Sequence, residues 1–357
     1  DNEVNDTWLA ENIRIKYVSS VFVPLSDSIV VVPLLNKWIK QLSNLIRSEA
    51  CDLIHVCDYE YLTSIPPIIT KDKYKIPIII VNDAIIGIYS FGTPSMDFLA
   101  KVYTYTLGIK ILSSYDKVVF LYSNLAKQAK KLGLSSEKTE IIPNGIDINE
   151  INNYVKVLEP EKIKEKYGIK KDKKVILYVG RLVKVKRVEI IIYIIRELLN
   201  RNLNVVGLIV GDGPQRFNLE KKAKFLGLKH SIIFTGYLKE EEKYECYSIA
   251  DLFILPSISE GLPTVLLEAA SFGLPIVATN TGGVTDIVIH GKTGFLVNSW
   301  DYDQYAKYAG LLLIEQDLAR KVGENARKHV EKNFSWDKVV KKYEKVYSEA
   351  LEEVAKR

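Results

Sequence analysis

The chain is poor in the residues that build disulfide frameworks and metal centres. Its 357 residues include three Cys, four His and one Met. Three cysteines are too few for the disulfide scaffold of a small secreted domain, so we expect a reducing compartment, the cytoplasm. Long apolar runs are absent as well. The longest candidate, residues 188–199, contains three charged side chains and falls short of the roughly 18 apolar residues of a membrane span.

An excess of charge of one sign is also absent. The net charge is +5, and no arginine-rich tract occurs, so the composition does not indicate a nucleic-acid partner. This mild positive balance permits an anionic ligand or an anionic membrane surface. Hydrophobic residues make up 47% and charged residues 26%, which is ordinary for globular proteins. At about 150 residues per domain, the length predicts two domains that each bury a core.

Short apolar runs alternate with helical patterns, and this rhythm is interrupted once, by a polar stretch at residues 149–172. The alternation predicts an α/β protein with two Rossmann-like, doubly wound parallel sheets. Ligands bind at the carboxyl ends of such strands, and a cleft between two facing domains is the default site. The predicted strands lie at 13–18, 53–56, 76–81, 117–121 and 138–142, and then at 174–179, 205–210, 232–234, 252–255, 275–278 and 294–297.

The interruption sets the predicted domain limits, which are residues 1–155 and residues 156–335. A terminal segment, 336–357, follows the second domain. Apolar residues recur in it at helical spacing from Trp336 to Val354, and Ser335 can cap the helix. A long amphipathic helix after the last strand must cover a surface of the protein.

The stretch SEGLPTVLLE carries two acids eight positions apart, Glu260 and Glu268. Gly261 and Pro263 indicate a strand-to-helix turn, with a helix over residues 263–272. The amides of that turn can face an anion. A carboxylate at Glu268 can accept two hydroxyls, such as a ribose diol. The alternative is that Glu268 lies on the surface and the turn has no ligand.

The stretch VGRLVKVKR follows a predicted strand that ends at Gly180. Arg181 and Lys186 then lie in the loop at the carboxyl end of that strand. Two such cations can hold a diphosphate, the guanidinium as a fork and the ammonium as a point charge. The alternative is a solvated basic loop, and we expect Lys184 and Arg187 to be solvated in either case.

Two further stretches resemble nucleotide fingerprints but fail them. VGDGPQ at 210–215 has Arg216 where a dinucleotide fingerprint requires its third glycine. HGKTG at 290–294 has Asp286 where a P-loop requires its first glycine. We interpret both stretches as tight turns.

Together the motifs resemble one family. VGRL with Lys186, GDGP, FTGY, SEGLPTVLLEAASFGLPIVAT and GKTGFLV have the order and spacing of the GT-B retaining glycosyltransferases of the glycogen-synthase-like, GT4 type. In the first half, DLIHVCD, YDKVVFLYSN and IIPNGID match the same family. The resemblance covers essentially the whole chain, and the pair of acids eight positions apart is its most specific element.

The resemblance implies roles for individual residues. Glu268 would bind the nucleotide ribose, and Glu260 would contact the donor sugar. Arg181 and Lys186 would hold the diphosphate, so that Arg181, Lys186 and Glu260 form the expected catalytic set. His55 and Asn82 are candidates for acceptor or sugar contacts. The terminal helix would cross back to the first domain. The other donor-binding candidates are Gly180, Gly211, Gly236, Tyr237, Leu238, Gly261, Leu262, Pro263 and Thr264.

The chain departs from the family pattern in three places. The family's first strand and glycine-rich loop should precede Asp1, so we expect the sequence to begin inside the fold. Asn82 stands where a histidine is usual after the strand PIIIV, and its amide can still bond a sugar hydroxyl. Arg187 stands where a glycine is usual after Lys186.

The sequence thus predicts an enzyme that transfers sugar from a nucleoside-diphosphate sugar, UDP- or GDP-linked, to a hydroxyl of a glycan, a lipid-linked glycan or a small molecule. It would retain the anomeric configuration and require no metal or other cofactor. The alternatives are a nucleotide-sugar epimerase or hydrolase of the same fold, and a nucleotide-sugar binding protein without activity. A glycogen-type phosphorylase would need a pyridoxal-phosphate lysine, and no motif indicates one.

The helical pattern at 34–47 has two interpretations. Its apolar residues, including Trp38, lie on one face, and Lys37, Lys40 and Arg47 lie toward the other. The favoured interpretation is a helix packed on the sheet with its basic face in solvent. The other is a peripheral contact with an anionic membrane at the cytoplasmic face.

Overall fold

The structure is a computed structural model that describes residues 7–10, 13–15, 20–25, 28–33, 35–48, 51–59, 62–85 and 94–356. It divides into two compact units. Unit 1 contains residues 1–142 and 342–357, and unit 2 contains residues 143–341. The domain limit predicted after residue 155 falls inside a helix of unit 2, Ile148–Val157.

Unit 1 is built on a parallel sheet of four strands in the order β5-β6-β7-β8. Three consecutive isoleucines of β6, Ile78, Ile79 and Ile80, are fully buried, as expected for a parallel strand covered on both faces. The strands are β5 Ile54–Cys57, β6 Ile78–Asn82, β7 Lys117–Phe120 and β8 Thr139–Ile141. The helices are α1 Leu35–Ser48, α2 Ile65–Tyr74, α3 Pro94–Tyr103, α4 Ile109–Ser114 and α5 Ser123–Lys131, with a π-helical turn at Thr104–Gly108.

The N-terminal strands form separate sheets. Strands β1 Thr7–Ala10 and β2 Ile13–Ile15 pair antiparallel, and β3 Ser20–Leu25 pairs antiparallel with β4 Ser28–Pro33. The prediction of a strand at 13–18 as part of the parallel rhythm was therefore wrong in its pairing. An apolar run indicates that a strand forms, whereas the strand with which it pairs depends on tertiary packing.

Helix α1 packs its apolar face into unit 1. Leu42 and Ile46 form a buried cluster with Ile76. Trp38 packs on that cluster, and its indole Nε1 donates to the carbonyl oxygen of Thr63 at 3.4 Å. Lys37, Lys40 and Arg47 are exposed. Helix α1 is thus packed on the protein with its basic residues in solvent, which is the favoured interpretation, and Trp38 faces the protein.

Unit 2 contains a parallel sheet of six strands in the order β11-β10-β9-β12-β13-β14. The strands are β9 Lys174–Val179, β10 Val205–Val210, β11 Ile232–Gly236, β12 Leu252–Leu255, β13 Ile276–Thr279 and β14 Phe295–Val297, close to their predicted positions. The helices are α6 Ile148–Val157, α7 Pro160–Lys166, α8 Glu189–Asn200, α9 Arg216–Phe225, α10 Glu240–Ser248, α11 Thr264–Ser271, α12 Val284–Ile287, α13 Tyr302–Ile314 and α14 Gln316–Asn333. Strand order reverses between β9 and β12, which creates the topological switch point at which α/β sheets bind ligands.

The last helix, α15 Trp336–Ala355, belongs to both units, since unit 1 resumes at Lys342. Within unit 1 it is held by ion pairs from Lys117 to Glu349 and Glu353 at 3.2 and 3.0 Å. Among the helices of the described ranges, none has both the length and the apolar character needed to cross a bilayer.

Candidate functional site

Three loops of unit 2 are joined at the carboxyl ends of β9, β10 and β11. The amide of Gly180 donates to the Val210 carbonyl at 3.0 Å, and the amide of Gly211 donates to the Gly236 carbonyl at 2.9 Å. Gly211 has a φ of 129°, and a Cβ there would overlap the Gly180 carbonyl. Only glycine fits this approach. The structure thus brings together three of the glycines that the sequence assigned to donor binding.

Lys186 and Glu260 lie in neighbouring loops and bind each other. The amide of Ile258 donates to the Val185 carbonyl at 2.9 Å, which joins the loop after β12 to the loop after β9. Lys186 Nζ then lies 2.7 Å and 2.8 Å from the two carboxylate oxygens of Glu260. The Glu260 side chain is only 7% exposed and that of Lys186 is 24% exposed. Both residues were predicted for the site, but their mutual pairing was not.

A glycine pair after β13 supports this loop from the other side. The amide of Gly283 donates to the Gly261 carbonyl at 2.8 Å. Gly282 has a φ of 48°, and a Cβ there would overlap the Glu260 carbonyl oxygen. Sequence reasoning missed both glycines, although two adjacent glycines in the loop after a strand are a usable signal of close backbone approach.

Helix α11 begins at this turn, as predicted. Pro263 is its N-cap and is buried with Leu262, whereas Thr264 is exposed. The first-turn amides of a helix have no intrahelical acceptor, and α11 has no side-chain cap. The Leu266 amide donates to the Pro263 carbonyl at 3.0 Å, so the amides of Thr264 and Val265 are the donors that the helix offers beside the Lys186–Glu260 pair.

Glu268 is buried, which excludes the alternative that it lies on the surface, and its two oxygens have different partners. Oε1 lies 2.8 Å from Lys243 Nζ, and Oε2 accepts a hydrogen bond from the Tyr247 hydroxyl at 2.7 Å. Burial and the charge of Glu268 raise the pKa of Tyr247 well above its usual value, so the phenol remains a donor. Sequence reasoning missed Lys243 and Tyr247. Their spacing of four on one face of α10 was the available signal.

Arg181 is exposed at the end of β9. Its backbone is fixed, because the Tyr178 hydroxyl donates to the Arg181 carbonyl at 3.1 Å. Burial, followed by the charge of Glu260, raises the pKa of Tyr178. No carboxylate in the described part of the chain forms an ion pair with Arg181, so its guanidinium is available to an anion.

The prediction that Arg187 is solvated was wrong. The side chain is buried, and its guanidinium donates to the Ser299 carbonyl and to the Tyr302 hydroxyl. It also lies over the Trp300 ring, 4.1 Å from the centroid. The φ of 48° at Arg187 is left-handed, a conformation that glycine adopts at the least cost. Side-chain contacts thus hold a strained backbone directly after Lys186. Lys184 is exposed, as expected.

Tyr237, Leu238 and the GDGP stretch follow β11 and β10 at the same edge, whereas HGKTG directly precedes β14. Tyr237 is 81% exposed directly after β11, and Leu238 is half-buried. The GDGP stretch is a tight turn in which Asp212 accepts from the Gly213 amide at 2.7 Å. HGKTG also forms a turn, closed by the Gly291 amide on the Gly294 carbonyl at 2.8 Å.

The two candidates of unit 1 differ. Asn82 ends β6 and is fully buried. Its Oδ1 accepts from the Tyr59 amide at 3.2 Å, while its Nδ2 has no partner among the described residues. His55 Nδ1 lies 2.7 Å from the Tyr347 hydroxyl of α15, and burial lowers the pKa of this imidazole. The Nδ2 donor of Asn82 is therefore unpaired among the described residues, whereas His55 has a partner in Tyr347.

Two family models match the chain. The model described as Glycosyl transferases group 1 matches residues 159–329, and the model described as Glycosyltransferase Family 4 matches residues 5–150. N-acetyl-alpha-D-glucosaminyl L-malate synthase of Bacillus anthracis is 30% identical over 223 residues, which is 61% of this chain and 58% of that protein. Two further curated relatives are covered over 63% and 65% of their length, so the chain spans about three fifths of such proteins.

Solved structures share the fold. Sucrose-phosphate synthase from Thermosynechococcus elongatus superposes with a TM-score of 0.77 at 20% identity, over 98% of this chain and 86% of that chain. Anabaena HepE, crystallised with UDP, superposes with a TM-score of 0.74 at 18% identity, over 87% of this chain and 82% of that chain.

Proposed function

Because the chain belongs to the group 1 glycosyltransferases of the GT-B, family 4 type, we propose that it transfers a sugar from a nucleoside-diphosphate sugar to a hydroxyl acceptor with retention of configuration. The observation that carries this proposal is the Lys186–Glu260 pair. A buried acid and a cation occupy the switch point of the sheet, with the exposed Arg181 and the first turn of α11 beside them. This set suits a ligand that combines anionic phosphates with neutral hydroxyls.

The donor diphosphate would lie against Arg181, Lys186 and the first-turn amides of α11. Negative charge grows on the diphosphate as the anomeric C–O bond breaks, so fixed positive groups stabilise the transition state more than the bound substrate. In this proposal these side chains neutralise the leaving group without a metal ion. Lys186 also holds Glu260, and this contact would position the carboxylate to accept hydroxyls of the donor sugar.

The nucleoside would extend from the diphosphate toward α10. Glu268 would accept the ribose hydroxyls, with Lys243 and Tyr247 fixing the orientation of its carboxylate. Backbone groups near Gly236, Tyr237 and Leu238 would meet the base. Because HepE was crystallised with UDP, UDP-sugars are the first donors to test, with GDP-sugars next.

The acceptor hydroxyl would attack from the face of the leaving group. Its oxygen forms the new bond to the anomeric carbon, the bond to the diphosphate breaks, and a departing phosphate oxygen takes the acceptor's proton. The acceptor class is proposed as a glycan, a lipid-linked glycan or a small molecule. Asn82 is the proposed acceptor contact, as the family resemblance implies, and its Nδ2 lacks a partner among the described residues.

Calorimetry with a nucleoside diphosphate and with the matching sugar nucleotide tests these assignments. Glu268→Gln should weaken both ligands alike, because the ribose contact does not need the sugar. Glu260→Gln should weaken only the sugar nucleotide. If both changes affect both ligands equally, the assignment fails.

Transfer of the sugar to an acceptor also has to be observed. Release of free nucleoside diphosphate without acceptor would favour an epimerase or hydrolase, and binding without turnover would favour an inactive binding protein.

A further inference from the structure

Helix α9 carries two exposed phenylalanines that do not pack in the core of unit 2. Phe217 is 74% exposed and Phe225 is 88% exposed. The opposite side of the helix supplies the core, since Leu219 and Ala223 are buried. Exposed aromatic side chains that share one helix face can mark an interaction surface.

Lysines surround these rings. At 3.6 residues per turn, Phe217, Lys221, Lys224 and Phe225 fall within an arc of about 100°. Lys229 follows the helix, and it lines one groove of about 490 Å³ together with Phe217, Lys221 and Lys224. We call Phe217, Lys221, Lys224, Phe225 and Lys229 the α9 surface.

The charge of the α9 surface is not neutralised by the protein. In the described ranges, no carboxylate forms an ion pair with any of its three lysines. The acid on this face, Glu220, accepts from Arg216 Nε at 2.8 Å. Three uncompensated ammonium groups and two apolar rings therefore share one side of the helix.

The location of this surface connects it with the candidate site. Helix α9 leads into β11, the edge strand of the six-stranded sheet. It begins directly after the Gly211–Gln215 loop, at the sheet edge that carries the proposed donor site. Its first exposed ring, Phe217, lies in the first turn next to that loop.

We propose that the α9 surface binds the face of an anionic lipid bilayer. Phe217 and Phe225 are separated by about 12 Å along the helix axis. If α9 lies parallel to the membrane plane, both rings can enter the headgroup region while the lysines between them contact lipid phosphates. A second copy of the chain would present the same positive charge and be repelled. This inference deepens the proposed function, since it rests on a lipid-linked acceptor and names where the acceptor's membrane would be met.

Sedimentation with vesicles tests the proposal without donor, acceptor or turnover. The full chain is mixed with phosphatidylcholine vesicles and with vesicles containing phosphatidylglycerol, at low and at high salt. We expect strong preference for the anionic vesicles, weakened by salt. The triple change Lys221→Gln, Lys224→Gln and Lys229→Gln should weaken binding on the order of a hundredfold, because each lysine near an anionic surface contributes about fivefold.

A matched control has the same loss of charge elsewhere. Lys127, Lys130 and Lys131 are exposed on α5 of unit 1, and their change to Gln should leave vesicle binding nearly intact. Phe217→Ser with Phe225→Ser should weaken binding about tenfold while the melting temperature is retained.

Several results would overturn the proposal: no preference for anionic vesicles, an equal loss in the α5 control, or tighter binding to a single-stranded oligonucleotide than to vesicles. Self-association that the Phe→Ser changes abolish would instead assign the surface to a second copy. The proposed function can fail separately. If calorimetry detects no binding of sugar nucleotides while the anionic vesicles still bind, the membrane surface stands and the enzyme assignment falls.

Discussion

Replacing Lys186 by Met should lower both the stability of unit 2 and the affinity for the diphosphate. Lys186 Nζ bonds both oxygens of Glu260, whose side chain is 7% exposed. Breaking a buried ion pair from one side costs about 3–5 kcal/mol because the other charge remains buried. Since Lys186 is 24% exposed, water relieves part of this cost, and we expect about 3 kcal/mol.

The expected sizes can be measured in two assays. For a domain of about 200 residues, about 3 kcal/mol lowers the melting temperature by about 6–12 °C. Loss of one fixed charge contact at the leaving group lowers turnover about a hundredfold. Differential scanning fluorimetry gives the first value, and release of nucleoside diphosphate in the presence of acceptor gives the second.

A second variant separates the two effects. Lys186→Met combined with Glu260→Gln removes the uncompensated charge, so most of the melting temperature should return. Affinity for the free nucleoside diphosphate should stay low, because Lys186 is still missing. Glu260→Gln alone should keep that affinity, since it leaves the Lys186 ammonium free for phosphate. An unchanged melting temperature together with near-normal turnover in Lys186→Met would refute the reasoning.

Two further predictions concern backbone positions at the site. Gly282→Ala should reduce donor affinity at least tenfold, because its Cβ overlaps the Glu260 carbonyl. The control is Gly291→Ala, which is also at positive φ but has nothing within 4 Å, so it should lower the free energy of unfolding only by the strain of about 1–2 kcal/mol. Equal effects of the two changes on donor binding would argue against the contact. Arg187→Gly should melt above Arg187→Ala, since only glycine relieves the left-handed φ of 48°, yet both should melt below the wild type because the contacts of the guanidinium are lost. A glycine variant more stable than the wild type would show that those contacts contribute less than the strain.

The strand and helix pattern followed from the sequence because it depends on short-range periodicity. The six strands of unit 2 lie close to their predicted positions, and α11 begins at the Gly261–Pro263 turn. The apolar run around Glu268 is a local signal that favours its burial, whereas Glu260 stands between Ser259 and Gly261 and had no such signal, although it too is buried. The family could be recognised for the same reason, because its motifs are local and ordered.

Partners across the fold were decided by tertiary structure. Lys186 and Glu260 are 74 positions apart, and they meet because β9 and β12 are neighbours although two strands separate them in sequence. Lys243 reaches Glu268 only once α10 and α11 have packed. Arg187 appears in sequence as one more cation of a basic loop, yet Ser299, Trp300 and Tyr302 bury it. A sequence pattern specifies which face of an element is apolar, whereas the burial and pairing of a charged side chain depend on which loops the sheet order places beside it.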